Sequence, residues 1–580
     1  MSGVRTLPEA LAEAARGDKG YTFVDSTSET RRSYAAMHDA SLRVARALRE
    51  LGLGRGDLVA LVIGESERFL TTLFGASIAG VVPASLYPPS PTSSLPQYLA
   101  ATAGLLKSCG ARAVLTTAGL HAHFDRLKTI CPDLAVVVDA ETLDAPASGW
   151  RAAGAPGADD IAFVQFTSGS TTVPKGVVVT HRNLSANIEA FSGPGGVGAS
   201  ESDTAVSWLP LYHDMGLVGM AIGALYTRVP AVLMTPQTFV KRPIEWLRAI
   251  SRHRGTISFA PNFAYDLSER RVKDADLQGL DLSSWRVAGC GAEPIHAATL
   301  AAFAEKFRPA GFRDTSFLPC YGLAEHVLAA ALPPRGRRLR VDRLSSDDVT
   351  VRRMATRPVN GVNGMSGING HAGGPGNDEP FAVVSCGLPL PGHQIRIAGE
   401  HGQSLPERDI GEIALAGPSV TTGYYRDEAL TRGTIRDGWL YTGDLGYVSN
   451  GELFVCGRVK DIIVINGRKF HPQDLEWGID DLAGIKRGRV VAFGTAERGK
   501  PDRAIIVVEP SGTVPADRLT DAIRGRIADL CGLLVDDVVL VPSGTVTRTT
   551  SGKVRRAATK MRYERGELVS AAGGRLAAQA

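Results

Sequence analysis

Residues 163–187 read FVQFTSGSTTVPKGVVVTHRNLSAN. An apolar run leads into Thr167, Ser168, Gly169, Ser170, Thr171 and Thr172, and then into Pro174, Lys175 and Gly176. Small residues let a backbone approach an anion closely. Hydroxyls and successive N–H groups can cradle phosphates, and Lys175 can add charge. The spacing is not that of a Walker P-loop, in which a glycine precedes the lysine directly. Here Gly176 follows Lys175, and Gly169 lies six residues before it. By composition alone the stretch also suits a solvated turn; its place after a buried strand, with the lysine, favours a phosphate cradle.

Four further segments carry chemically capable side chains: CYGLAE at 320–325, YTGDLG at 441–446, GRVKDIIVINGRKFHPQDLE at 457–476 and TRTTSGKVRR at 547–556. Each has an ordinary structural reading. Tyr321 suits a core aromatic, Asp444 a turn that caps its own backbone, and Glu325 a solvated carboxylate. Lys553 beside Arg555 and Arg556 suits a basic surface cluster. His213 before Asp214 suits a helix start. Residues 215–226 (MGLVGMAIGALY) place Gly216, Gly219 and Gly223 at helical spacing. Small residues there either leave an apolar tunnel or let a helix pack closely on a sheet.

The elements that must position these groups are short apolar strands alternating with helical stretches. Strands are expected at 58–63, 81–86, 113–117, 134–138, 161–166, 205–209, 231–234, 256–260, 285–288 and 315–319. Continuous apolar strands separated by helices predict parallel sheets covered on both faces, an α/β architecture with the ligand site at strand C-termini. Residues 335–357 hold eight arginines, and 360–378 are rich in Gly and Asn, which reads as an exposed, mobile insert. Short strands and turns from 380 to 455 predict a small β-barrel or sheet. From about 457 the pattern is β-α-β-β-α-β, a compact α+β unit.

At 580 residues the chain suggests about three to five structural units. Hydrophobic residues are 44% and charged residues 21%, which excludes disorder or a coiled coil as a global answer. Lys+Arg 64 against Asp+Glu 60 leaves +4, giving no support to nucleic-acid or membrane-surface binding. Seven cysteines lack CxxC spacing and read as reduced thiols. The N-terminus carries acids where a signal peptide needs an apolar core, and no apolar run is long enough to span a bilayer, so a cytoplasmic location without integral membrane contact is expected.

Taken in order with TSGSTTVPKG, the four segments resemble the adenylate-forming enzymes: acyl- and aryl-CoA synthetases, peptide-synthetase adenylation domains and firefly luciferase. The resemblance spans residues 30 to 565. Within that superfamily, WLPLYHDMGLVG (208–219), GAEPI (291–295), YGLAE and VSCG (384–387) are most similar to fatty acyl-AMP ligases, which also carry an insertion ahead of VSCG. The insertion here is placed at about 339–380. The resemblance implies a large N-terminal adenylation domain over 1–457, with two parallel-type sheets, helices and a β-barrel-like subdomain. A small mobile α+β domain over 458–580 would follow, hinged at Lys460.

It also implies roles for single residues. Thr167, Ser168, Gly169, Ser170, Thr171 and Lys175 would contact the β- and γ-phosphates of ATP, and Glu325 would hold Mg²⁺. Gly291, Ala292 and Glu293 would line the adenine, with Tyr321 and Gly322 against it and Tyr321 stacked on it. Asp444 and Arg458 would take the ribose. Lys553 would bridge the α-phosphate and the attacking carboxylate, and His213 would orient that carboxylate or gate its pocket. Ala324 stands where the wider superfamily often has Thr, a departure shared with fatty acyl-AMP ligases.

The implied reaction joins a fatty acid to AMP with release of pyrophosphate, then passes the acyl group to the phosphopantetheine thiol of an acyl carrier protein. Two other readings are an acyl-CoA synthetase of the same fold and a nucleotide-binding scaffold without catalysis. The presence of Lys553, Glu325, Asp444 and Arg458 speaks against the scaffold. The basic stretches 335–357 and 555–565 have two readings, a docking surface for an acidic carrier protein or a solvated face.

Overall fold

The computed structural model describes residues 3–25, 28–89, 94–146, 154–167, 174–344, 381–465, 468–495, 502–548 and 554–571. Two α/β sheets form the larger part. In one, the strands Val136–Asp139, Ala113–Thr116, Leu58–Leu61, Val82–Ser85 and Ile161–Thr167 run parallel, and Lys175–Thr180 adds an antiparallel edge. In the other, Phe317–Pro319, Val287–Cys290, Ile257–Ala260, Ala205–Ser207, Ala231–Met234 and Gly20–Val24 run parallel, closed by antiparallel Glu29–Ser33.

The central strands are buried along their whole length, as four-residue apolar runs such as LVAL and AVLM require when helices cover both faces. Local signals set the helix ends. Thr180 and Asn183 form a reciprocal cap at the start of His181–Ser192. Leu95–Cys109 stops at Gly110, whose left-handed φ of 57° an L side chain rarely adopts. The expected strand at 285–288 begins two residues later. Trp285 N–H instead closes a turn on the Leu282 carbonyl, and its ring fills the core.

A nine-stranded, largely antiparallel sheet from Tyr321–Gly322 to Gln394–Ala398 stands where the small barrel or sheet was expected. The described ends of the insertion, Val341–Leu344 and Phe381–Pro389, pair antiparallel in this sheet, with Leu344 opposite Phe381. The expected mobile stretch 360–378 lies outside the described residues.

The C-terminal unit follows the expected order: Ile463–Ile465 with Arg468–Phe470, the helix Pro472–Ile479, strands Ile485–Thr495 and Arg503–Pro510, the helix Ala516–Cys531 and the strand Asp537–Leu540. One face of its three-stranded sheet packs Ile506 and Val508 on Ile523 and Ile527. The other packs Val491, Val507 and Val541 near Tyr563, on a further helix, Arg556–Glu564. Both faces are thus covered from within the smaller domain.

Candidate active site

A cavity of about 1790 Å³ lies among the C-terminal ends of the parallel strands, the edge of the antiparallel sheet and the C-terminal unit. Thr167 and Lys175 face each other across the end of their hairpin and both line it. Ser168, Gly169, Ser170 and Thr171 come between them in the sequence and lie outside the described residues. Lys553 also lies outside the described residues, but Arg548 and Val554 on either side of it pair in an antiparallel bridge and line the cavity.

The Asp444 carboxylate is held on both oxygens. It sits directly opposite Arg458 on adjacent antiparallel strands. Arg458 Nε donates to Asp444 Oδ1 at 2.8 Å, and the Tyr321 hydroxyl donates to Oδ2 at 2.7 Å. The Asp444 side chain is 9% exposed and that of Arg458 51%, so the guanidinium reaches from solvent to a buried carboxylate. Burial, reinforced by the Asp444 charge, raises the Tyr321 phenol well above its ordinary value and keeps it a donor. Gly322 follows Tyr321 because a Cβ there would meet the Leu328 carbonyl oxygen at 1.9 Å.

A second cluster joins Lys175 to Glu325 through a residue the sequence did not single out. The Tyr424 hydroxyl donates to Glu325 Oε1 at 2.9 Å, and Lys175 Nζ lies 5.4 Å from the centre of the Tyr424 ring. Ala324 packs against Tyr424 and Val177. No signal marks a lone tyrosine in GYY as a link between two motifs; only the fold brings it there.

The adenine segment divides. Ala292 and Glu293 line the cavity, Ala292 in a left-handed conformation at φ 68°. Gly291 packs behind them, where a Cβ would meet Cys320 Sγ at 2.5 Å. Glu293 Oε1 accepts from the Phe263 N–H at 2.6 Å, in the first turn of Asn262–Arg271, so its carboxylate is held by a helix start.

His213 and Asp214 border the cavity as a pair, Nδ1 to Oδ1 2.6 Å, with Asp214 Oδ1 also accepting from the Met215 N–H at 2.7 Å. Met215–Ile222 winds as a π-type helix, an arrangement frequent at functional sites. Its glycines serve different ends. A Cβ on Gly216 would strike the Pro210 carbonyl oxygen at 2.3 Å, so Gly216 permits packing, whereas Gly219 borders the cavity. Beyond them the wall turns apolar, with Phe191, Phe259, Phe263 and Leu267.

Lys460 is exposed in a short turn, Val459–Asp461, at the start of the C-terminal unit. The unit touches the larger part elsewhere too: Arg487 Nε lies 3.6 Å from Asp266 Oδ1, and the Trp477 and His296 rings are 4.9 Å apart. Several described arginines of the basic stretches are paired within the molecule. Arg335 donates to the Val197 and Pro194 carbonyls, and Arg338 and Arg340 pair with Asp314 and Glu452. Arg556 is bound to Glu476 and Asp461. Among the described residues no group of three or more His, Cys, Asp or Glu could cage a metal, and no helix is long and apolar enough to cross a membrane.

Comparison with known proteins agrees with this geometry. A Caulobacter vibrioides protein provisionally described as an acyl-CoA synthetase is 34% identical, covering 96% of this chain and 95% of its own. The medium-chain-fatty-acid–[acyl-carrier-protein] ligase JamA of Moorena producens is 32% identical over 95% and 93%. A solved structure from work on fatty acyl-adenylate ligases of E. coli and L. pneumophila superposes with a TM-score of 0.88 at 36% identity, covering 97% of this chain and 98% of that one. The model of the AMP-binding enzymes matches residues 11–425, and the chain belongs to that family as an adenylate-forming ligase akin to the fatty acyl-AMP ligases.

Proposed function

We propose that the enzyme activates a fatty acid with ATP and passes the acyl group to the phosphopantetheine thiol of an acyl carrier protein. The observation that carries this reading is a single cavity joining an apolar arm at Phe191, Phe259 and Phe263 to two polar clusters, Asp444–Arg458–Tyr321 and Lys175–Tyr424–Glu325. A carboxylate is a poor acyl donor because oxide would have to leave. Its oxygen attacks the α-phosphorus, the bond to the bridging oxygen breaks, and pyrophosphate departs. In the second step the thiol sulfur attacks the acyl carbon and AMP leaves.

The obstacle to the first step is an anion attacking a polyanion, so cations and N–H donors must be aimed where charge develops. Lys175 and the hydroxyl loop 167–171 would hold the β- and γ-phosphates, and Lys553 the α-phosphate with the carboxylate. Asp444 would accept from the ribose hydroxyls with Arg458 beside it, and Ala292, Tyr321 and Gly322 would border the base. His213, fixed by Asp214, would orient the acyl carboxylate. Glu325 suits Mg²⁺. It offers one carboxylate, oriented by Tyr424 on Oε1, and a hard cation of this kind is commonly held by one or two carboxylates plus substrate phosphates.

The likeness to JamA supports a carrier-protein acceptor, and the likeness to the Caulobacter protein supports coenzyme A. We read the protein as cytoplasmic, with a C-terminal domain from 458 that turns about Lys460 between the two half-reactions. The test is chromatography of products from ATP, Mg²⁺ and a fatty-acid panel, with coenzyme A or holo-carrier protein added. Acyl-AMP that survives coenzyme A and is consumed by carrier protein is expected. Failure of every aliphatic acid to support pyrophosphate exchange would overturn the whole reading.

A further inference from the structure

Tyr424 belongs to a segment, 421–425, that lies between the two motifs it joins. On one side its backbone runs against the strand Lys175–Thr180. Tyr424 bridges antiparallel to Val177, the Tyr425 N–H donates to the Gly176 carbonyl at 2.7 Å, and the Val178 N–H donates to the Gly423 carbonyl at 3.0 Å. On the other side the Thr421 N–H donates to the Glu325 carbonyl at 2.9 Å. The Tyr424 N–H donates to Thr431 Oγ1 at 2.9 Å, on the helix Glu428–Thr434. These bonds fix the backbone from which the phenol ring projects.

The residue is 6% exposed and packs with Val177, Ala324 and Leu430. Those neighbours ask only for an apolar ring, yet its polar end and its face are both used. Lys175 Nζ stands over the ring, 5.4 Å from its centre, and the hydroxyl donates to Glu325 Oε1 at 2.9 Å. Burial, reinforced by the Glu325 charge, raises the phenol well above its ordinary value and keeps it a donor. Among the described residues Glu325 Oε2 has no hydrogen-bond partner. Lys175 and Glu325 carry opposite charges and border one cavity, yet they form no ion pair with each other. Such charges attract more strongly where water is partly excluded, and a direct pair would consume both groups.

We propose that Tyr424 is a positioning residue for adenylation, a spacer that keeps Lys175 and Glu325 apart and aimed at the β- and γ-phosphates and so sets how tightly Mg²⁺ is held there. This rests on the roles of Lys175 and Glu325 in the function proposed above. The ring face carries the ammonium, and the hydroxyl ties one carboxylate oxygen while the other stays open. Hydrogen bonds that orient a metal-binding carboxylate commonly govern its affinity for the ion.

The test uses the full-length enzyme, Tyr424→Phe, which keeps the ring and deletes the hydroxyl, and Tyr424→Leu, which deletes both. Mn²⁺ uptake in the presence of α,β-methylene-ATP is read from the loss of the free-ion electron paramagnetic resonance signal. Tyr424→Phe should weaken Mn²⁺ binding by about ten-fold. Tyr424→Leu should weaken it at least as much and weaken the nucleotide too, because Lys175 and Glu325 can then close on each other. Decanoyl-AMP has no β- or γ-phosphate, so its Kd by calorimetry should be unchanged in both variants. Exchange by Tyr424→Phe with decanoate should fall at limiting Mg²⁺ and recover as Mg²⁺ is raised, which a lesion in packing would not do. Unchanged Mn²⁺ affinity in Tyr424→Phe would overturn the proposal. An equal loss of decanoyl-AMP binding would overturn it too and make Tyr424 a packing residue. If Tyr424→Leu does not fold, Tyr424→Phe alone decides. Mn²⁺ uptake is read without any acid, so failure of every acid in exchange would remove the function proposed above and leave the Mn²⁺ result to decide the place of Tyr424.

Discussion

Asp444 and Arg458 face each other across two antiparallel strands, with Arg458 Nε on one carboxylate oxygen and the Tyr321 hydroxyl on the other. Both oxygens are therefore held in fixed directions before any ligand arrives. If Asp444 accepts from the ribose, Asp444→Asn should lower kcat/KM for ATP by about 10- to 100-fold, the range of a lost hydrogen bond to a charged group. Tyr321→Phe leaves the charge and removes one constraint, so its loss should be smaller, within about ten-fold. Pyrophosphate exchange at varied ATP measures both. An Asp444→Asn enzyme with unchanged KM for ATP would exclude a ribose role.

Lys553→Ala should abolish acyl-AMP formation, because it removes the charge proposed to bridge the α-phosphate and the attacking carboxylate. Arg548 and Val554, bridged at the cavity wall, place the start and end of the segment that carries Lys553. Exchange assays and a melting curve on the same preparation separate chemistry from folding. Undiminished exchange would remove Lys553 from the mechanism.

Arg487 and Asp266 link the C-terminal unit to the larger part at 3.6 Å, and the Arg487 side chain is 46% exposed. An exposed contact of this length is worth well under about 1 kcal/mol. Arg487→Ala should thus speed proteolysis in the turn Val459–Asp461 only about two- to three-fold. Cleavage mapped by mass spectrometry checks this. A change of a hundred-fold would mean that the ion pair is a main restraint on the domain.

Deleting 360–378 should raise acyl-CoA output if the insertion restrains the C-terminal domain in its adenylating pose. Leu344 and Phe381 sit opposite each other in register, so a shortened connection has only a short gap to span. Thioester yield with coenzyme A, compared at equal adenylation rate, is the readout. An unchanged yield would show that these residues do not govern the acceptor.

Much of this was legible in the sequence for a physical reason. Strands buried on both faces must be continuously apolar, so LVAL, AVLT and AVLM announce themselves. The antiparallel edge strand Glu29–Ser33 did not. Glu29–Ser33 reads ETRRS, and its pairing follows from proximity to Gly20–Val24 rather than from apolar burial. The motif residues that border the cavity were found because each lies within a recognisable run. Tyr424 carries no such mark; it matters for what it bridges, a property that exists only in three dimensions. The arginines of 335–357 show the reverse case: several whose type suggested docking are tied to carbonyls and carboxylates.

Acid sensitivity should trace in part to His326. Its Nδ1 donates to the Ala329 carbonyl at 2.8 Å, its Nε2 is buried without a partner among the described residues, and the ring lies 5.0 Å from His393. Burial, with His393 beside it, depresses its pKa from 6.5 to about 3. Between those values the unfolded chain binds the proton and the folded one does not, so stability rises with pH across that window and is lost as pH falls through it. At pH 5.5 this one group costs about 1.4 kcal/mol relative to neutral pH. His326→Asn keeps a donor for the Ala329 carbonyl and removes the titration. The drop in Tm from pH 7.5 to 5.5 should shrink by about 1 °C in the variant. His181 and His471, each pushed down to about 4 by burial, remain to give a residual slope. Parallel Tm–pH curves for the two proteins would show that His326 is already charged in the folded state, or that acid acts elsewhere.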